Sequence, residues 1–242
     1  MLEPSGPSMI GVTFYSDLPA FDRRVRPLLL EREAQYTMLL GLLSEIARGR
    51  YSEFWMATLE DEGELIGCAL QTPPKPMALT ELGPEAIAVL VETVLSHRPR
   101  LDGVSGPVPT VNAFGALWQA QTGARTTWDM AQGIYQITEV RFPEKLAAGK
   151  MRGITRADFP LLDGWVGGFN ADTGMPELPD NRVFLEARLP APSLFVLEDD
   201  GPVAMAGWSG PTPNGVRVNA VYTPPEHRGK GYASALVARL SQ

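Results

Sequence analysis

The sequence predicts an α/β protein (α+β in some schemes) built as two successive domains, each a mixed, mostly antiparallel sheet flanked by helices. Three observations lead there. The chain has 242 residues, which suits two domains of roughly 100–150 residues each. Its apolar share is 44% and its charged share 20%, so two cores can be built and disorder is not expected. The order of predicted elements runs once to its end and then starts again.

Residues 10–15 alternate and read as a strand. Asp17 then opens a helical region over 18–47 that ends at Gly49, and Pro27 inside it predicts a break into two pieces. Val25, Leu28, Leu29, Tyr36, Leu39, Leu40, Leu43 and Ile46 recur at three- and four-residue spacing, the pattern of a helix with one buried face. Strands at 53–58 and 63–72 follow, joined by a turn rich in acid and glycine, Glu60-Asp61-Glu62-Gly63. A third strand over 76–82 leads through Gly83 and Pro84 into a helix over 86–97, with proline suited to its first turn. A short strand at 103–107, a helix over 111–122 and a strand over 126–138 complete this part. Residues 141–150, with Pro143 and Gly149, read as a linker, giving domains at 1–141 and 151–242 around a linker at 142–150.

The second series opens with a strand at 153–155 and a helix from Arg156 to Phe169, then a helical piece over 181–189. Strands at 194–198 and 203–209 flank the hairpin Asp199-Asp200-Gly201. A strand at 215–223 and a helix from Gly231 onward close it. The order β, α-α, β, β, β, α therefore occurs twice, an internal duplication of topology. By this comparison the second copy stops about 40 residues short of the first, without its C-terminal strands and helix. That leaves an open sheet edge, from which an incomplete second domain is expected, or else another element or a second copy of the chain that covers the edge.

Composition excludes several classes. A net charge of −7 argues against a general nucleic-acid binder, which needs basic surface to neutralise phosphates, and is compatible with cationic amines. The single cysteine, Cys68, lies in an apolar run and rules out an internal disulfide or a cysteine metal cluster. The two histidines, His97 and His227, lie in unrelated segments, so neither a metal-ligand spacing nor a nucleophile–histidine pair can be written, and no metal is expected. The N-terminus lacks the pattern of a signal peptide, and no apolar run approaches the ~18 residues of a membrane span. A soluble, cytoplasmic protein without membrane or nucleic-acid partners is expected.

One segment carries chemistry. The strand ending in Val221, Tyr222 and Thr223 runs through Pro224-Pro225-Glu226-His227 into Arg228-Gly229-Lys230-Gly231-Tyr232-Ala233-Ser234, where a helix of small and apolar residues begins. A helix start presents unpaired N–H groups and partial positive charge, and glycines allow a bulky anion to approach the backbone. Arg228 and Lys230 add positive charge. A Walker A loop is ruled out, because Gly231 rather than Ser or Thr follows Lys230. A dinucleotide fingerprint fits poorly, since six residues separate Tyr222 from Gly229 and no later acid follows at the required distance.

Arg228-Gly229-Lys230-Gly231-Tyr232-Ala233 satisfies the Arg/Gln-x-x-Gly-x-Gly/Ala motif, and with its strand, loop and helix the segment resembles the acetyl-CoA-binding half of GNAT-superfamily N-acetyltransferases. The resemblance rests on motif and order over residues 153–242 and on topology alone over 1–141, so the chain resembles a tandem acyl-CoA N-acyltransferase-like protein. In the first copy the equivalent loop, Thr80-Glu81-Leu82-Gly83-Pro84-Glu85-Ala86, has one glycine, acids on each side and no base, as expected of a degenerate copy. The resemblance implies that acetyl-CoA is the co-substrate. It implies that the amides of Gly229 to Ser234 hold its pyrophosphate, that Val221, Tyr222 and Thr223 pair with its pantetheine arm, and that the amide near Val221 polarises the thioester carbonyl. A primary amine, small or in a peptide, would attack directly.

The general acid and base stay unassigned: the family's fifth strand and fourth helix have no counterpart, and Glu226 or waters ordered by Asn219 are the only bases to offer. Tyr222 and Tyr232 read as packing side chains. Trp165 and Phe169 read either as a core pair or as an acceptor wall. The loop from Asn170 to Glu177 supplies acids for a cationic amine or is a plain solvated connection. A non-catalytic or truncated tandem protein of the same fold is the alternative.

Overall fold

A computed structural model describes residues 10–97, 101–128, 130–175 and 180–242. The chain divides into two compact units between Tyr135 and Gln136, ahead of the boundary expected at residue 141.

In the first unit, β1 (Ile10–Tyr15), β2 (Trp55–Asp61), β3 (Glu64–Gln71) and β4 (Met77–Leu79) pair antiparallel in chain order, and β5 (Val104–Ser105) adds parallel to β4. The hairpin between β2 and β3 turns on Glu62 and Gly63, both at positive φ (50° and 87°), as a tight turn matched to strand twist requires. Strand alternation sends Cys68 and Leu70 to one face of the sheet and Ala69 to the other. On the first face they meet Phe21, Val25 and Leu29 of α1 (Leu18–Glu31) and Leu39, Leu40 and Leu43 of α2 (Thr37–Ala47). The opposite face carries α3 (Pro84–His97) and α4 (Val108–Thr122), through Leu90, Val91, Phe114 and Trp118.

The second unit repeats this plan with one sheet of four strands, antiparallel throughout: β6 (Lys150–Gly153), β7 (Leu194–Glu198), β8 (Pro202–Thr212) and β9 (Gly215–Tyr222). Leu162, Trp165 and Val166 of α5 (Phe159–Thr173) and Leu185 of α6 (Asn181–Glu186) cover Leu194, Val196 and Met205. Ala235 and Leu236 of α7 (Tyr232–Leu240) cover Leu197, Ala204 and Ala206 on the other face. Among the described residues, the order strand, helix, helix, three strands, helix thus occurs in both units.

Four expectations about elements need correction. Pro27 does not break the first helix; it lies inside α1, and the interruption falls at residues 32–36. Both Pro27 and Arg23, whose carbonyl loses its i+4 donor, are exposed, so water can satisfy that oxygen. Asp17 is the N-cap residue of α1 but its side chain makes no capping bond. The described residues of 126–138 form no strand, although the segment holds Trp128, Ile134 and Ile137. A strand needs a ladder partner, and β5, two residues long, supplies none, so these side chains stand 58–64% exposed. The expected linker is also not wholly a linker, because Lys150 begins β6 and Ala147 packs against the α7 side of the sheet.

Candidate functional site

In the second unit, β9 carries an irregularity that residue types did not signal. Met205 pairs with Tyr222 and Gly207 with Asn219, so Ala206 alone faces two residues, Ala220 and Val221. Ala220 adopts φ +49°, a left-handed conformation unusual for a residue other than glycine or asparagine. Such a bulge leaves the extra residue outside the ladder and bends the strand just before its end. A glycine here would have announced the bulge; an alanine does not.

Beyond Tyr222 the chain turns through a 3₁₀ turn, Pro225–His227, closed by His227 N–H to the Pro224 carbonyl (2.9 Å). Gly229 and Gly231 then take φ +75° and +80°, and Gly231 is the N-cap of α7. The first backbone bond of the helix runs from Ala235 N–H to the Gly231 carbonyl, 3.0 Å. Among the described residues, no acceptor meets the N–H groups of Gly229, Lys230, Gly231, Tyr232, Ala233 or Ser234. A Cβ placed on Gly229 would meet nothing within 4 Å, and one on Gly231 only the Ala147 methyl at 3.8 Å. The result is an open row of unpaired donors at a helix N-terminus, the arrangement that binds phosphate groups.

The two basic side chains differ. Lys230 is exposed and makes no ion pair among the described residues. Arg228, expected as a mobile charge, is instead held. Its Nε donates to the Thr223 carbonyl (2.9 Å), its Nη2 donates to Asp172 Oδ2 (2.5 Å), and its guanidinium lies 5.6 Å from the centre of the Tyr222 ring. Asp172, at the end of α5, is therefore engaged rather than a free acid of the 170–177 loop. Asn170 is buried, and Pro176 and Glu177 lie outside the described residues.

The other predicted residues fall as follows. Val221, Tyr222 and Thr223 sit together at the strand end, half-buried, and Thr223 Oγ1 is enclosed without a partner. Tyr222 packs on α5: its ring lies 6.4 Å from that of Trp165, and a Cβ on Gly168 would come within 2.2 Å of its hydroxyl oxygen. Trp165 is buried, with Phe169 packed at the edge of the same core. Tyr232 turns its hydroxyl to Asp199 on the β7–β8 hairpin (2.6 Å), which raises its pKa from the usual phenol value and leaves its backbone N–H at the loop. Asn219, offered as a water-ordering group, donates to Ser209 Oγ (2.5 Å) and accepts from Arg188 (3.5 Å). Glu226 stands exposed in the turn. No group of three or more potential metal ligands exists among the described residues, and no helix there is long and apolar enough to cross a membrane.

One electrostatic feature braces this unit. Arg152 of β6 donates from both Nη atoms to Asp158 (2.8 and 2.7 Å) and from Nη2 to Glu198 (2.8 Å). Asp158 also receives Thr155 N–H (2.7 Å) and hydroxyl (2.9 Å). The Arg152 hydrogen bonds, reinforced by those of Thr155, hold its carboxyl at a pKa of about 2 against an ordinary 3.8.

The equivalent loop in the first unit has the same position after β4, but two of its donors are taken by side chains. Glu81 N–H donates to the Tyr36 hydroxyl (3.1 Å) and Leu82 N–H to Thr110 Oγ1 (3.1 Å). Glu81 itself pairs with Arg32.

The second unit is thus a mixed α/β unit in which a bulged strand runs into an open, glycine-bearing helix start, a geometry suited to a phosphate group. Residues 160–242, about a third of the chain, match the model of the acetyltransferase (GNAT) family, which supports acyl transfer at the level of the family. No curated protein matches the chain. Among solved structures, one described as a GCN5-related glucosamine N-acetyltransferase region of a fungal multi-domain GH3 β-N-acetylglucosaminidase aligns with a TM-score of 0.47 and 14% identity. The alignment covers 97% of this chain and 34% of that one, so the chain spans about a third of its length.

Proposed function

We propose that the second unit binds acetyl-CoA and transfers its acetyl group to a primary amine, small or in a peptide. The observation that carries this reading is the open row of amides from Gly229 to Ser234, after a bulged strand and inside the family match. The residues fit the ligand: two glycines leave the backbone approachable, the donors are unpaired, and Lys230 offers a free positive charge to a phosphate. Arg228 acts at one remove, holding the loop to α5 through Asp172. Val221, Tyr222 and Thr223 would receive the pantetheine arm along the strand end, with the bulge at Ala220 and Val221 turning an amide out of the ladder toward the acyl carbonyl. Acetyl-CoA supplies an activated thioester that an amine attacks once deprotonated.

A second reading, a non-catalytic protein of this fold that binds a CoA ligand or a partner, is favoured by one observation. Asn219 and Tyr232, two polar side chains near the loop, are both engaged by protein partners, and Glu226 is a solvated turn residue. Isothermal titration of acetyl-CoA into the chain, beside Gly229→Glu/Gly231→Glu and Lys230→Glu variants, tests the shared step. Binding by the parent that both variants lose supports the loop as the site; no binding by the parent sinks the enzyme reading and leaves only a non-catalytic protein that binds a partner. Acetyl transfer to any member of an amine panel, followed as free thiol released, separates the enzyme from the non-catalytic binder.

A further inference from the structure

The last turn of α5 carries a buried polar side chain that the fold leaves unused. Asn170 is 7% exposed, and its Nδ2 is enclosed with no hydrogen-bond partner among the described residues. An asparagine near a helix end ordinarily serves that end, through its side chain or a left-handed backbone. Here Gly174 takes the left-handed position (φ +66°), and the Asn170 carbonyl receives Met175 N–H at 2.9 Å. The helix is closed without the side-chain amide. A buried donor left unpaired is destabilising, and one that persists calls for an acceptor from outside the protein.

Its position ties it to the candidate site. Asn170 follows Val166 by one helical turn, so it shares the face of α5 that Val166 packs into the core. Gly168, two residues earlier, lies against the Tyr222 hydroxyl, and Asp172, two residues later, is clamped to Arg228. The last turn of α5 thus runs along the end of β9, on the face opposite α7. A coenzyme held on the amides at the start of α7 leaves this α5 face to the incoming amine. The surroundings carry no free charge here. Trp165, Val166 and Phe169 are apolar, and Arg228 and Asp172 neutralise each other. A carboxylate would meet only a neutral N–H, whereas an uncharged oxygen needs no more than that donor.

We infer that the acceptor amine carries an uncharged oxygen beside its amino group, as in an amino alcohol or an α-amino amide, and that Asn170 Nδ2 donates to it. The inference rests on the acetyl-transfer reading of this unit and names its class of acceptor. Asn170 is then a specificity-determining residue, touching the substrate away from the reacting atoms.

The side-chain amide gives a direct readout. In a proton–nitrogen correlation spectrum of the full chain, its signals are those missing from both Asn170→Leu and Asn170→Ser. Alaninamide or alaninol should move them. sec-Butylamine, which lacks the oxygen, and alanine, which adds a carboxylate, should not. The stronger of the first two identifies the oxygen as carbonyl or hydroxyl. Its affinity should exceed that of sec-butylamine by about tenfold, as one hydrogen bond allows, and fall to equality in Asn170→Leu. Without ligand, Asn170→Leu should unfold about 2–4 °C higher than the parent, because the unpaired donor is gone and the volume is kept. A lower midpoint would assign Asn170 to the fold and overturn the inference. Signals that move equally with sec-butylamine or alanine, or with none of the compounds, do the same. Acetyl-CoA titrated into the same sample tests the loop separately: no acetyl-CoA binding beside an intact Asn170 response sinks acetyl transfer and leaves the oxygen site standing.

Discussion

The loop after β4 and the loop after β9 occupy the same place in two units of the same element order, and differ in where their N–H groups point. After β9, donors from Gly229 to Ser234 have no acceptor among the described residues, and the glycines there take φ +75° and +80°. After β4, the donors of Glu81 and Leu82 end on Tyr36 and Thr110, and an acid paired to Arg32 lies across them. One loop carries two left-handed glycines and uncapped donors; in the other, two donors are capped by the protein's own hydroxyls. A fold can therefore keep its architecture while a handful of side chains decide whether its helix start is a site or a joint.

The largest expected effect breaks the comparison directly. Gly229→Glu/Gly231→Glu should weaken acetyl-CoA binding by more than about a hundredfold, because two carboxylates would stand at the proposed phosphate site, with added strain of about 1–2 kcal/mol at each left-handed position. Gly83→Glu in the first unit should leave acetyl-CoA affinity unchanged in the same titration. Equal losses from both substitutions would place the ligand elsewhere.

Next in size is the brace of the second unit. Asp158→Ala should cost about 2–3 kcal/mol in chemical denaturation, less than a fully buried pair would, because Arg152 is partly exposed and keeps Glu198. The pH dependence has a defined sign. Asp158 has a depressed folded pKa, so its contribution is complete above its unfolded value of 3.8 and is lost as pH falls from there toward about 2. The loss over that window is on the order of 2 kcal/mol. The first unit's counterpart, Arg24 with Glu60 at 3.1 Å, is more exposed, and Glu60→Ala should cost no more than about 1 kcal/mol.

Two smaller tests sharpen the contrast. Tyr36→Phe should destabilise the first unit by about 1–2 kcal/mol, since the Glu81 N–H loses its acceptor in a half-buried position. It should not create acetyl-CoA binding, because Glu81 remains. Asp172→Asn should shift stability by less than about 0.5 kcal/mol and tighten acetyl-CoA two- to threefold, or roughly that, by removing a carboxylate beside the phosphate loop and releasing Arg228 toward it. Weaker binding in this variant would show that Arg228 must be held for the loop to keep its shape.

Much of this was legible beforehand, for local reasons. The apolar spacing from Val25 to Ile46, the Glu62-Gly63 and Asp200-Gly201 turns, and the glycines at Gly229 and Gly231 each express a short-range rule. Period, left-handed φ and close approach of backbone are written in residue types. The sequence alone thus determined the repeated element order, the buried faces and the glycine-bearing start of α7. Tertiary structure decided what depended on distant partners. Pro27 stays within α1 because its face is solvent, and the described residues of 126–138 form no strand because no ladder partner meets them. Arg228 is held rather than free because the end of α5 brings Asp172 to it, 56 residues earlier in the chain. Ala220 takes a left-handed conformation because the β8 register leaves one residue too many, a property of the pairing and not of alanine. Residue type reports what a backbone can do locally; which polar groups remain unpaired is settled only when the chain has folded around them.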